Sequence, residues 1–125
     1  MKHGMRDMRQ EETSFHQQLK KKIDEYVRYT YRITRQFPRE ELYGIISQLR
    51  RAALSVMLNY IEGYARGRNK VHKNFLEIAY GSLKESEYLY ELSAHENFIT
   101  KEECEKATIL ADEIGAMLWG TFQKL

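Results

Sequence analysis

Apolar residues fall into four long stretches with helical spacing, and none alternates in the two-residue rhythm of a strand. In the first, Phe15, Leu19, Ile23, Tyr26, Thr30, Ile33 and Phe37 recur at steps of three and four. That is one side of a helix, sustained over about three heptads. Ser14 followed by Gln17 forms a candidate capping box at its start. The second helix is expected to open at Pro38, since a first helical position has no use for the N–H that proline lacks. Glu40 and Glu41 would then occupy the first turn, where the helix dipole favours carboxylates. Phe37 would act as a staple against Leu42 or a nearby residue. The seam of this helix continues through Leu42, Ile45, Leu49, Ala52, Val56, Tyr60 and Gly63, and from 38 to about 65 it would be roughly 40 Å long. Gly67 suits a helix C-cap. A third helix from Val71 to His95 carries Phe75, Ile78, Ala79, Ser82, Ser86 and Leu89 on one side, and Leu76, Tyr80, Leu83 and Tyr90 on another. Asn97 ends it. Thr100 and Glu103 form a capping box for the fourth, which is lined by Cys104, Ala107, Ala111, Ile114, Met117 and Leu118. Short connections between long helices require antiparallel neighbours. The expected fold is therefore all-α: one up-down-up-down four-helix bundle over residues 14–125, with residues 1–13 a flexible N-terminus.

The second helix carries more apolar surface than one bundle uses. Leu54, Met57, Leu58, Ile61 and Ala65 make a second stripe in its C-terminal half, and two stripes imply burial on two sides. Leu54, Met57, Leu58 and Ile61 are thus the expected interface of a homo-oligomer. Charge is divided along the chain as well. Residues 1–74 hold 16 Lys/Arg against 8 Asp/Glu, whereas residues 75–125 hold 4 against 10. The basic half suits a polyanion, the acidic half suits a protein partner, and the two halves also suit each other.

Several kinds of chemistry are set aside by spacing. The lone Cys104 leaves no disulfide framework and no cysteine-based zinc site. A di-iron bundle uses Glu-x-x-His, but Glu12–His16 and Glu91–His95 are four apart. No Gly-rich phosphate loop or recognisable nucleophile is present, and no cofactor is expected. The N-terminus MKHGMRDMRQEE lacks the apolar core of a signal peptide, and no apolar run approaches the roughly 20 residues of a membrane span, so a cytoplasmic protein without membrane contact is expected. Arg66 and His72 have a spacing that resembles the Arg-x(4–6)-His motif of the all-helical HEPN ribonucleases, which leaves a ribonuclease as one alternative.

Nucleic-acid binding has broader support. Lys20, Lys21 and Lys22 continue into Arg28, Arg32 and Arg35 with Tyr29 and Tyr31 interleaved; Arg66, Arg68 and Lys70 form a second group. Lys and Arg neutralise phosphates whatever the sequence, and tyrosine stacks on exposed bases. The competing reading has Arg28 and Arg32 merely solvating the outer face, and Arg50 paired with a carboxylate.

The stretch from Phe37 to Glu87 resembles a bacterial family, the four-helix bundle or 23S rRNA-intervening-sequence proteins. The residues that carry the resemblance are Phe37-Pro38-x-x-Glu41, Tyr43-Gly44, Ser47-Gln48-Leu49-Arg50-Arg51-Ala52-Ala53-x-Ser55, Asn59-x-x-Glu62-Gly63, Arg66, and Ala79-x-Gly81-Ser82-Leu83-x-Glu85. The chain departs from the family after Ser55: Met57 stands where a proline is usual, and Leu58 and Ile61 where small residues are usual. The resemblance implies a left-handed antiparallel bundle that assembles as a homopentamer. It is related to the accessory protein of diversity-generating retroelements, a basic pentamer that binds nucleic acid. The family carries no established activity. Its shared residues suggest architecture, with Gly44, Gly63 and Gly81 admitting close helix approach. Gln48, Arg51, Asn59, Glu62, Ser82 and Glu85 would form a paired polar network, for example Arg51–Glu85 and Asn59–Ser82. Together these expectations describe a non-enzymatic, pentameric adaptor that binds RNA or DNA, or else a scaffold for another protein.

Overall fold

In the computed structural model, the backbone is described for residues 2–125 and the side chains for residues 13–125. Four helices appear: α1 (Lys2–Thr34), α2 (Ser47–Arg66), α3 (Asn69–His95) and α4 (Lys101–Gln123). No strand occurs among the described residues. Each helix touches the next in sequence, and α1 closes the ring against α4. The cross-helix contacts run in opposite order along each neighbouring pair. His16 meets Tyr60 while Thr34 meets Arg50, and Ser55 meets Ser82 while Gly63 meets His72. Neighbours are therefore antiparallel, as short connections demand.

α1 already runs through Ser14, so the Ser14–Gln17 pair lies inside a helix and caps nothing. The side chains of residues 1–12, on which the expectation of a flexible N-terminus mainly falls, lie outside the described residues. The seam of α1 is buried from Leu19 on, through Ile23, Tyr26, Thr30 and Ile33, and Phe37 just past the helix is buried too, but Phe15, the first residue of the predicted seam, is exposed. Phe37 packs against Phe98 at 5.5 Å between centroids, and Leu42 is exposed.

The start of α2 differs more. Pro38 is extended (φ −56°, ψ 136°), a short 3₁₀ turn covers Arg39–Glu41, and Leu42–Ile46 follows as a wide turn. Within it, Gly44 leaves helical values (φ −108°, ψ −114°). Regular helix begins only at Ser47, nine residues past the first helical residue predicted at Pro38. The break lies at the glycine, whose missing Cβ makes departure from the helix cheap. From there α2 is continuous through Met57.

The other boundaries follow local chemistry. Gly67 takes φ +67° and donates its N–H to the Gly63 carbonyl, the left-handed C-cap its sequence position suggested. Asn97, at φ +63°, ends α3, and the Phe98 N–H reaches back to Ser93. Thr100 Oγ1 accepts from the Glu103 N–H while Glu103 Oε1 accepts from the Thr100 N–H, a complete capping box.

The core draws on one stripe per helix. On α3 this is His72, Leu76, Ala79, Leu83, Ser86, Tyr90 and Ser93. The aromatic side of α3 thus faces inward, while Ile78 faces out. Two hydroxyl bridges cross from α1 to α3: Tyr26 with Ser86 at 2.7 Å, and Thr30 with Tyr90 at 2.6 Å. Burial pushes both tyrosine hydroxyls above their ordinary pKa, so each remains protonated and paired.

Candidate nucleic-acid interface

Lys21, Arg28 and Arg32 are exposed on α1, and Arg35 is exposed in the turn one residue past its end. Spacings of seven and four place Lys21, Arg28 and Arg32 along one stripe opposite the buried seam, spanning about 16 Å at 1.5 Å per residue, and Arg35 follows in the turn. Not all of this charge is free. Arg28 Nε donates to Asp24 at 2.8 Å. Arg32 lies over the Tyr29 ring at 5.4 Å, beside a groove that also holds Glu102, Glu103 and Lys106. Lys22 does not belong to the stripe. It turns to α4 and donates to Glu113 at 2.5 Å, a bond that raises its pKa. Lys20 and Lys21 are exposed and make no ion pair among the described residues.

The second basic group sits at the end of the bundle where His16 of α1 stacks on Tyr64 of α2, with centroids 3.5 Å apart. Arg68 and Lys70 are exposed there. Arg66 is bound to Glu62 at 2.7 Å and lies over Phe75, so it spends its charge locally. His72 is only 9% exposed and packs against Gly63. Arg66 and His72 are thus not presented together on an open surface, as a paired ribonuclease motif would require. His16 Nδ1 and the Tyr60 hydroxyl are 2.5 Å apart. Burial, then the charges of Lys20 and His72, lower the pKa of His16; burial alone lowers that of His72.

The polar network differs from the expected pairs. Ser82 Oγ lies 2.8 Å from Ser55 Oγ, and Asn59 Nδ2 donates to both the hydroxyl and the carbonyl of Ser55. Asn59 and Ser82 are therefore linked through Ser55 and not directly. Gln48, Arg51 and Glu85 are exposed, and no Arg51–Glu85 ion pair forms among the described residues; Glu62 pairs with Arg66 within its own helix. The arginine that does reach across is Arg50, which donates to Thr34 Oγ1 at 2.8 Å and to the Tyr31 carbonyl at 3.4 Å. Its partners are neutral, not the carboxylate that a solvated-face reading supposes. The missed signal was Thr34, a small polar residue one position beyond the α1 seam and level with Arg50.

Of the close approaches expected at three glycines, only one is present. A Cβ on Gly63 would stand 2.9 Å from Phe75 Cβ and 3.2 Å from the His72 carbonyl oxygen, whereas one on Gly81 would meet nothing within 4 Å. Gly44 serves the break before α2 instead.

Leu58 and Ile61 are 55% and 40% exposed, and Ile78 of α3 is 51% exposed. Leu54 is half-buried at their edge. Met57 is not part of this outward strip, because it is packed against the core cluster. Among the described residues no cluster of three or more potential ligands could hold a metal ion, and no helix is long and apolar enough to cross a membrane.

Comparison with known proteins bears on this arrangement. A family model described as "23S rRNA-intervening sequence protein" matches residues 16–120. No curated protein matches the chain. A solved structure from Bacteroides thetaiotaomicron, described as a protein with unknown function from the S23 ribosomal protein family, is similar with a TM-score of 0.79. The two share 23% identity, over 87% of this chain and 98% of that one. At that identity the likeness is one of fold.

Proposed function

The chain belongs to the 23S rRNA-intervening sequence protein family, and from that premise we propose that it is a non-enzymatic, homo-oligomeric adaptor of the cytoplasm that binds nucleic acid. The outward basic stripe of α1 carries the reading. Lys21, Arg32 and Arg35 make no ion pair among the described residues, and they follow one another along α1 and the turn just past its end at a spacing a flexible phosphate backbone can follow. Oligomerisation, with a pentamer as the state the family resemblance implies, would multiply the stripe around an axis. The apolar strip of Leu58, Ile61 and Ile78 supports docking of copies, and the opposite charges of the chain's two halves are complementary.

The test is anisotropy of a labelled single-stranded oligonucleotide titrated with the full chain over a range of salt. Neutralising about three phosphates gives a log–log slope near −2 for a single strand, and Lys21→Glu combined with Arg32→Glu should flatten it. Absence of binding at low salt, or binding that ignores salt, refutes the reading. Light scattering tests the assembly: a 14.9 kDa particle at micromolar concentration refutes it.

A further inference from the structure

At the other end of the bundle from the His16 cluster, the end of α1, the turn before α2 and the first turn of α2 line an open pocket of about 190 Å³. Arg35, Arg39 and Arg50 line it, over an apolar floor of Phe37, Leu42 and Ile46, and no carboxylate contributes to its wall. None of the three guanidiniums forms an ion pair among the described residues. Three unpaired guanidiniums around one concavity make a positive local potential that attracts an anion.

Arg50 is the organised member. Its Nε is held by Thr34 Oγ1, one terminal nitrogen reaches the Tyr31 carbonyl, and the group lies 4.9 Å from the centre of the Tyr31 ring. All three partners are neutral, so the side chain is fixed while its full charge and remaining donors stay unspent. Arg35 and Arg39, exposed on either side, can close on an occupant.

We infer that this pocket binds a phosphomonoester, the terminal phosphate of a nucleic-acid strand or of a free nucleotide. This rests on the nucleic-acid reading above only for the choice between those two sources. The charge count selects the chemistry. A backbone phosphodiester carries one negative charge, whereas a phosphomonoester carries about −1.5 to −2 at pH 7 with three acceptor oxygens. Three arginine forks match the latter, because each guanidinium can present two parallel N–H donors to phosphate oxygens. The apolar floor receives the sugar that follows.

The experiment compares four probes on the full chain: an oligonucleotide with a 5′-phosphate, one with a 3′-phosphate, one with hydroxyls at both ends, and adenosine monophosphate. A terminal phosphate should tighten oligonucleotide binding by about tenfold or more. Arg39→Ala, at an exposed position, should abolish that preference, while Lys21→Glu should weaken all three oligonucleotides and leave the preference intact. Circular dichroism confirms that each variant retains its helices. Equal affinity for all three oligonucleotides overturns the pocket assignment and leaves the α1 stripe standing. Binding of adenosine monophosphate that is lost in Arg39→Ala, with no oligonucleotide bound, upholds the pocket and overturns the stripe. No binding of any probe overturns both.

Discussion

Gly63→Ala separates two effects that usually travel together. Within a helix, replacing glycine by alanine gains about 1 kcal/mol of propensity. At Gly63 the added methyl would lie 2.9 Å from Phe75 Cβ, 3.0 Å from His72 Cδ2 and 3.2 Å from the His72 carbonyl oxygen. Two of these atoms are fixed to the α3 backbone, so no rotamer change clears the contact and the helices must separate. Overpacking of this kind costs about 1–3 kcal/mol, and the immobility of the neighbours favours the upper half of that range. The net expectation is a loss of about 1–2 kcal/mol, or a melting temperature lower by about 4–8 °C. Gly120 supplies the internal control, because a Cβ there would meet nothing within 4 Å. Gly120→Ala should stabilise, by up to about 1 kcal/mol in the last turns of α4. Thermal melts of both variants at one fixed protein concentration decide the matter. If Gly63→Ala raises the melting temperature as Gly120→Ala does, the close approach of α2 and α3 is wrong.

Two further outcomes follow from buried groups. Ser86→Ala leaves the Tyr26 hydroxyl buried without its partner and should cost about 1–3 kcal/mol in chemical denaturation; Tyr26→Phe combined with Ser86→Ala should recover much of it. A double variant no more stable than Ser86→Ala alone would refute the pairing. The depressed pKa values of His16 and His72 make stability depend on pH. In the unfolded chain these imidazoles take up protons near their ordinary value of about 6.5, before the folded ones do. Stability is therefore present in full above that value and is lost as pH falls through it toward the lower folded values. Melts at pH 7.5 and 5.5 should show the drop, and His16→Gln with His72→Gln should shrink it; an unchanged drop would place its origin elsewhere.

What could be read from sequence was whatever depends on neighbours along the chain. The seam of α1, the Gly67 C-cap, the left-handed Asn97 and the Thr100–Glu103 box all follow from contacts within a turn or two. The delayed start of α2 did not, because Pro38 and two glutamates satisfy every local rule for a helix start and only the backbone at Gly44 shows the break. The outer faces were harder still. Lys22, Arg28 and Arg66 look like free cations in a linear reading, yet each meets a carboxylate, two within their own helix and one 91 residues away. Arg50 and Arg51 are indistinguishable as a dipeptide. One helical step of rotation sends Arg50 to Thr34 and leaves Arg51 in solvent. Arg39 was not singled out at all, since a lone arginine beside a proline carries no pattern until Arg35 and Arg50 are brought around it.

The hydroxyl bridges between α1 and α3 work as a vernier. Along α1 a large residue is followed four positions later by a small one, Tyr26 then Thr30; along α3 the order is reversed, Ser86 then Tyr90. Sliding α3 by one turn would set Tyr26 against Tyr90, bulk against bulk, or Thr30 against Ser86, leaving a gap. Leucine and alanine seams tolerate such a slide far better, because one greasy contact resembles the next. Two pairs of oxygen atoms thus measure the axial position of two diagonal rods to within a single turn.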